Sequence, residues 1–139
     1  MRTISFLFLA GLIAIAPACS DRLSTSTNES VQRGTWGSNT ASLTIGDSSA
    51  TLQILNGNCY GVYGQIDQPI VTGHFDLPGT YTQLIGAYPG KVQYPAQYSG
   101  TVAGNQLSIA VTVPALQVTF GPFSLTYGMN SAWTPCLYP

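Results

Sequence analysis

Between Leu107 and Val113 the chain reads LSIAVTV, with Leu107, Ile109, Val111 and Val113 apolar at every second residue. That period constrains the fold more than any other feature. A strand sends alternate side chains to opposite faces, whereas a helix buries residues three and four apart, so this run fits one face of a sheet. Ahead of it, Tyr98–Val102 repeats the pattern across the turn residues Ala103-Gly-Asn-Gln106, and the two runs are expected to form a hairpin. A second hairpin is written in Ala41-Ser-Leu-Thr-Ile45, the turn Gly46-Asp-Ser-Ser49, and then Ala50, Leu52 and Ile54.

The same grammar covers most of the remaining chain. After the turn Asn56-Gly57-Asn58, a third strand is expected from Cys59 towards Ile66, with Tyr60, Val62 and Ile66 on one face. Gly73–Thr82 (GHFDLPGTYT) reads as one or two short strands, with a turn at Pro78-Gly79. Leu116, Val118 and Phe120 alternate up to an interruption at Gly121-Pro122; Phe123, Leu125 and Tyr127 restart the pattern in a further strand. Trp133 to Leu137 is expected to return Cys136 to the sheet, and Trp36 and Trp133 to serve as core or closing residues. Gly or Pro punctuates nearly every ten-residue window from Gly34 onward, which leaves no room for a helix of ordinary length. The expectation is an all-β domain, a small antiparallel barrel of about eight strands, with a β-sandwich as the alternative. Closure has the advantage of leaving no open edge strand.

The N-terminus follows a different logic. Arg2, an apolar run from Ile4 to Ile15, and the small residues Ala16 and Ala18 form the three parts of an export signal. The run is shorter than the roughly 20 apolar residues that span a bilayer. Ala16-Pro17-Ala18 fits ordinary signal cleavage, while a small residue directly before Cys19 resembles a bacterial lipobox, with Ala16 where Leu is typical. Cysteine parity favours the second: of three cysteines, acylation of Cys19 leaves Cys59 and Cys136 as one possible pair in an oxidising compartment. The Ser/Thr-rich stretch that follows Cys19 would act as a flexible leash of roughly 20 Å. The expected organisation is a signal peptide over residues 1–18, a lipidated (palmitate-bearing) Cys19 with a polar tether over 19–33, and a barrel domain over 34–139. Ser20 after the cysteine points to the outer membrane, and a secreted or periplasmic soluble protein is the alternative.

Charge narrows the partners. Lys, Arg, Asp and Glu make up 6% of the chain, against about 25% in an average soluble protein. Without Arg2, the basic residues Arg22, Arg33 and Lys91 face Asp21, Glu29, Asp47, Asp67 and Asp76, so the net charge is -2. Nothing there could displace the counterions of a nucleic acid, and that class of partner is set aside.

Several short motifs occur in a fixed order: Gly34-Thr-Trp-Gly37, Gln68-Pro-Ile70, Gly-x-Phe-x-x-Pro-Gly-Thr-Tyr over 73 to 81, Pro95-Ala-Gln-Tyr-Ser-Gly100, Gly-Pro-Phe-x-Leu over 121 to 125, and Cys136-Leu137. In this order the chain from Gly34 to Leu137 resembles a family of small exported bacterial lipocalin-like barrel proteins and lipoproteins of uncharacterised function. It departs from them at Asn58-Cys59-Tyr60, where an acidic residue and Ala flank the cysteine, and at Gln97, where Arg stands. The resemblance implies a lipocalin-like β-barrel with a disulfide, and it brings no catalytic residue with it.

Chemistry-bearing residues are few. His74, the single histidine, shares a strand face with Asp76, but a zinc site needs three or four protein ligands and no second histidine exists. No serine sits in G-x-S-x-G, the Asp residues fall at turns or strand ends, and no phosphate loop or dinucleotide fingerprint is present. No catalytic, metal or cofactor residue is assigned, and an enzyme is not expected. The segment Gly86–Pro95 (GAYPGKVQYP) reads as the longest loop, and it holds Tyr88, Lys91 and Tyr94 as the candidate binding residues. The functional expectation is a non-enzymatic envelope module, anchored to a membrane through lipid, that binds a small apolar ligand inside the barrel or a protein at its mouth. The alternative is a periplasmic inhibitor of a lytic or proteolytic enzyme.

Overall fold

A computed structural model of the chain describes residues 30–55, 61–85 and 90–131, and at positions 55, 61–62, 84–85 and 90–91 it describes the backbone alone. Eight strands follow one another: β1 (Gly34–Gly37), β2 (Ala41–Ile45), β3 (Ala50–Leu55), β4 (Gly61–Ile66), β5 (Gly73–Ile85), β6 (Gly90–Ala103), β7 (Gln106–Val113) and β8 (Val118–Tyr127). Each pairs antiparallel with the next, and β1 pairs with β8, so the sheet closes into an up-and-down barrel. The closing seam is short, Trp36 opposite Tyr127 and Gly37 opposite Thr126. The fold is therefore the eight-stranded barrel rather than the sandwich.

Alternation builds the interior as the sequence indicates. On β2 and β3 the inward residues are Ala41, Leu43, Ile45, Ala50, Leu52 and Ile54; on β7 they are Leu107, Ile109, Val111 and Val113; all are buried. Both expected hairpins form, and Ile66 of the third faces the core. Eight strands give a bore that side chains can just fill. Here Trp36 and Tyr98 supply the largest fully buried groups, and the buried hydrophobic residues join in one cluster from end to end.

Tyr98 fits because two facing wall positions lack side chains. A Cβ on Gly64 would run into the Tyr98 hydroxyl, and one on Gly79 would lie 2.8 Å from the ring's Cε2. The hydroxyl donates to the carbonyl of Thr80 at 2.6 Å. No buried side-chain nitrogen or oxygen lacks a partner among the described residues. An unmade hydrogen bond at such a site would cost about 1–3 kcal/mol.

Four readings from the sequence change. Pro78-Gly79 is not a turn: Gly73–Ile85 is a single strand of 13 residues. Pro78 is tolerated because β4 reaches β5 only from Thr80 onward, so the missing N–H costs no bond on that side. Lys91–Pro95 is not loop either, since these residues pair with Leu84 back to Thr80 in a long β5–β6 hairpin. Gly121-Pro122 does not divide two strands; it is absorbed within β8, with a register shift opposite Ile109 and Val111. Finally, the domain begins before Gly34. Ser30 bridges Val71, Val31 is buried, and Trp36 Nε1 donates to the carbonyl of Gln32 at 3.0 Å, so Ser30–Arg33 straps the end of the barrel where β1 begins. Cys19, Cys59, Tyr60, Tyr88, Trp133 and Cys136 lie outside the described residues, and with them the lipidation and the disulfide.

Candidate binding surface

The two ends of the barrel differ. At the strapped end, Tyr127 sets its ring edge-on to Trp36, centroids 5.2 Å apart, and its hydroxyl donates to the carbonyl of Arg33. Arg33 also pairs with Asp47 at 2.6 Å, with both side chains largely in solvent. Towards the opposite end, Tyr81 on β5 stacks on Phe120 of β8, centroids 5.3 Å apart and planes 11° from parallel. Because β5 and β8 are not neighbours in the sheet, this pair reaches across the bore. Tyr94 joins from β6 at 6.5 Å from Tyr81. Of the residues expected to bind from a loop, Tyr94 is thus a half-buried strand residue against the core, Lys91 lies in β6, and Tyr88 is outside the described residues.

Burial raises the pKa of Tyr98 well above the ordinary phenol value, with Tyr81 adding to the rise and the backbone of Gln65 pulling the other way. Tyr81 is raised as well, first by burial and then by Tyr94. These are neutral, packed phenols. His74 and Asp76 do share the outer face of β5, both exposed, as the sequence indicates. Asp76 accepts a hydrogen bond from Gln97 Nε2 at 2.5 Å. No group of three or more His, Cys, Asp or Glu residues able to hold a metal occurs among the described residues.

The outer wall carries the remaining chemistry, and it is almost wholly amide and hydroxyl. Much of it is tied internally: Thr51 to Gln65 and Gln65 to Asp67, each at 3.2 Å, Gln106 to Thr126 at 3.1 Å, and Thr112 to Thr119 at 3.1 Å. Membrane barrels turn an apolar band outward, whereas the hydrogen-bonded pairs described on this wall are amides, hydroxyls and a carboxylate. No helix among the described residues is long and apolar enough to cross a membrane.

One row of the wall carries an exposed aromatic ring. The registers place Ser42, Gln53, Tyr63, Thr82 and Gln93 side by side across β2 to β6. Each follows or precedes an inward residue, so all five project outward. Among the described residues this row contains no side-chain hydrogen bond, as is also true of the row His74, Thr101, Ser108 and Ser124 across β5 to β8, and Tyr63, at its centre, is 38% exposed. At about 4.8 Å per strand the row is roughly 19 Å long. Thr82 and Gln93 come from the long hairpin, so the segment read as a loop from sequence widens this face instead. Period-two alternation marks each of these residues as outward, but only the strand registers bring them into one line. Comparison with protein-family models, with curated proteins and with solved structures returned no match.

Proposed function

We propose that the protein is an exported, membrane-tethered, non-enzymatic binding module of the bacterial envelope whose recognition surface is the outside of its barrel. The observation that carries this reading is the packing of Trp36, Tyr98 and the Tyr81–Phe120 pair within the bore. An apolar ligand would have to displace Trp36, Tyr98 or the Tyr81–Phe120 stack, and close-packed interiors give up such volume at a cost of several kcal/mol. Sequence suggests an apolar ligand inside the barrel or a protein at its mouth; the packing argues against the first, and the surface proposed here is the outer wall. The export signal and Cys19 support the location and the anchor, and the up-and-down barrel accords with the lipocalin-like resemblance.

Two measurements test the reading. Full-length protein mixed with the apolar dye N-phenyl-1-naphthylamine is expected to leave its fluorescence unchanged, while the same protein is expected to co-sediment with an envelope fraction after the membrane lipid has been extracted. Stoichiometric dye uptake would overturn the external site. Intact-mass analysis of the exported product is expected to show an acylated chain beginning at Cys19, and an unmodified soluble chain would remove the tether.

A further inference from the structure

We infer that the β1–β8 seam is a gate: the barrel opens there locally while β2 to β7 stay folded, and the stretch Gly128–Ser131 is the catch that holds it shut. This goes beyond the external-surface reading and does not depend on it. The seam is the shortest in the sheet. It has two register pairs, Trp36–Tyr127 and Gly37–Thr126, where β1–β2 and β4–β5 have four each and the remaining seams have five or more. So short a ladder leaves most of the closure to contacts outside the strands.

Gly37 shows where those contacts lie. Its neighbour Trp36 faces the bore, so Gly37 belongs to the outer wall, and yet it is buried as well. The cover is the chain's own return. Gly128 takes a positive φ of 78°, and the residues after it fold back over β1: a Cβ on Gly37 would run into the Met129 carbonyl oxygen and lie 3.1 Å from the nitrogen of Ser131. The Gly128 N–H donates to the Thr35 carbonyl at 2.8 Å, the Met129 N–H closes the turn on the Thr126 carbonyl at 3.3 Å, and the Tyr127 hydroxyl reaches the Arg33 carbonyl at 3.2 Å. Of these, the Gly128 and Tyr127 bonds cross the seam. Each side is anchored elsewhere. All four residues of β1 pair with β2, while the Tyr127 N–H donates to the Asn105 carbonyl of the β6–β7 turn at 2.9 Å. β1 and the end of β8 can therefore part without either leaving its other neighbour, as a local opening below the cost of unfolding the whole. Opening uncovers Trp36, the largest fully buried side chain among the described residues.

The test is amide hydrogen exchange of the full chain, followed by NMR, with the Gly128 amide reporting the seam and the slowest amides of β3 and β7 reporting the whole barrel. The Gly128 amide is expected to exchange at least about tenfold faster than they do. Gly37→Ala, which drives a Cβ into the catch, should speed it about tenfold or more, and Tyr127→Phe, which removes only the bond to Arg33, about threefold. Gly64→Ala supplies the contrast. It disturbs Tyr98, whose packing is the same with the seam shut or open, so it should speed the slowest core amides and leave Gly128 unchanged. In a Trp133→Phe background, acrylamide should quench Trp36 more strongly in Gly37→Ala than in the parent. The gate is overturned if Gly128 exchanges as slowly as the core and accelerates with it in Gly64→Ala, since the seam then opens only with the barrel. Faster Gly128 exchange with no change in Trp36 quenching would reduce the opening to fraying of Gly128–Ser131 and overturn it too. Tyr127→Phe carries the test should Gly37→Ala fail to fold, and unchanged Gly128 exchange there would remove the catch.

Discussion

Replacing Gly64 by Ala should destabilise the barrel out of proportion to the single methyl added. Three contributions set the size. Alanine gains roughly 0.5–1 kcal/mol over glycine in a strand through lower backbone entropy in the unfolded chain. Against this, the new Cβ meets the hydroxyl and ring of the fully buried Tyr98, an overpacking that costs about 1–3 kcal/mol in a dense core. Moving the ring also breaks the hydrogen bond to the Thr80 carbonyl, and stranding these buried groups costs about 1–3 kcal/mol more. The net is a loss of about 3 kcal/mol, which at a urea slope of roughly 1.5 kcal/mol/M lowers the unfolding midpoint by about 2 M. Urea titration followed by near-ultraviolet circular dichroism would measure it. The mechanism is isolated by repeating the change in a Tyr98→Phe background. There the hydroxyl is gone, and the alanine should cost at least about 1 kcal/mol less, though not nothing, because its Cβ still lies 2.9 Å from the ring's Cζ. Equal costs in the two backgrounds would refute the reasoning.

Two further outcomes follow from the packing and the charges. Burial holds the phenols of Tyr98 and Tyr81 above the ordinary phenol pKa, so between that value and their own the folded state holds protons that the unfolded chain has released. Their contribution is complete below the unfolded phenol pKa and is lost as pH rises above it; an alkaline titration of tyrosinate absorbance should show both ionising only together with unfolding. Arg33→Gln removes the ion pair with Asp47, but with side chains 67% and 77% exposed the pair should contribute less than about 0.5 kcal/mol, readable as a nearly unmoved urea midpoint.

The contrast between legible and hidden elements has a physical basis. The β2–β3 and β6–β7 hairpins could be read because each pairs two alternating runs across a short polar turn, and both signals are local. The β5–β6 extension could not. Pro78, Gly79 and Pro95 are turn formers by composition, and their use in strands depends on neighbours far along the chain. Gly79 makes room for Tyr98, and Pro78 and Pro95 fall where their strands are paired on one side only, β4 reaching β5 from Thr80 and β7 reaching β6 from Gln97. The burial of Val31 was hidden for the same reason, because a polar Ser/Thr stretch gives no warning that its last residues bridge to Val71. Of the candidate surface, each member is a plain polar residue in an alternating run. The line they make exists only through four separate registers.

The strap has a mechanical consequence. It lies where β1 begins and where β4 connects to β5, at the end opposite the β5–β6 hairpin, so the chain enters the barrel at that end. Tension along the entering chain falls first on the Ser30–Val71 bridge and the Trp36–Gln32 hydrogen bond, which can detach one after the other, while the eight strands remain paired behind them. Each freed residue adds up to about 3.5 Å of reach, so Ser30–Arg33 can pay out roughly 14 Å of line before the barrel itself bears the load. On the proposed anchorage at Cys19, the strap is slack for that leash, stored against the domain it would hold.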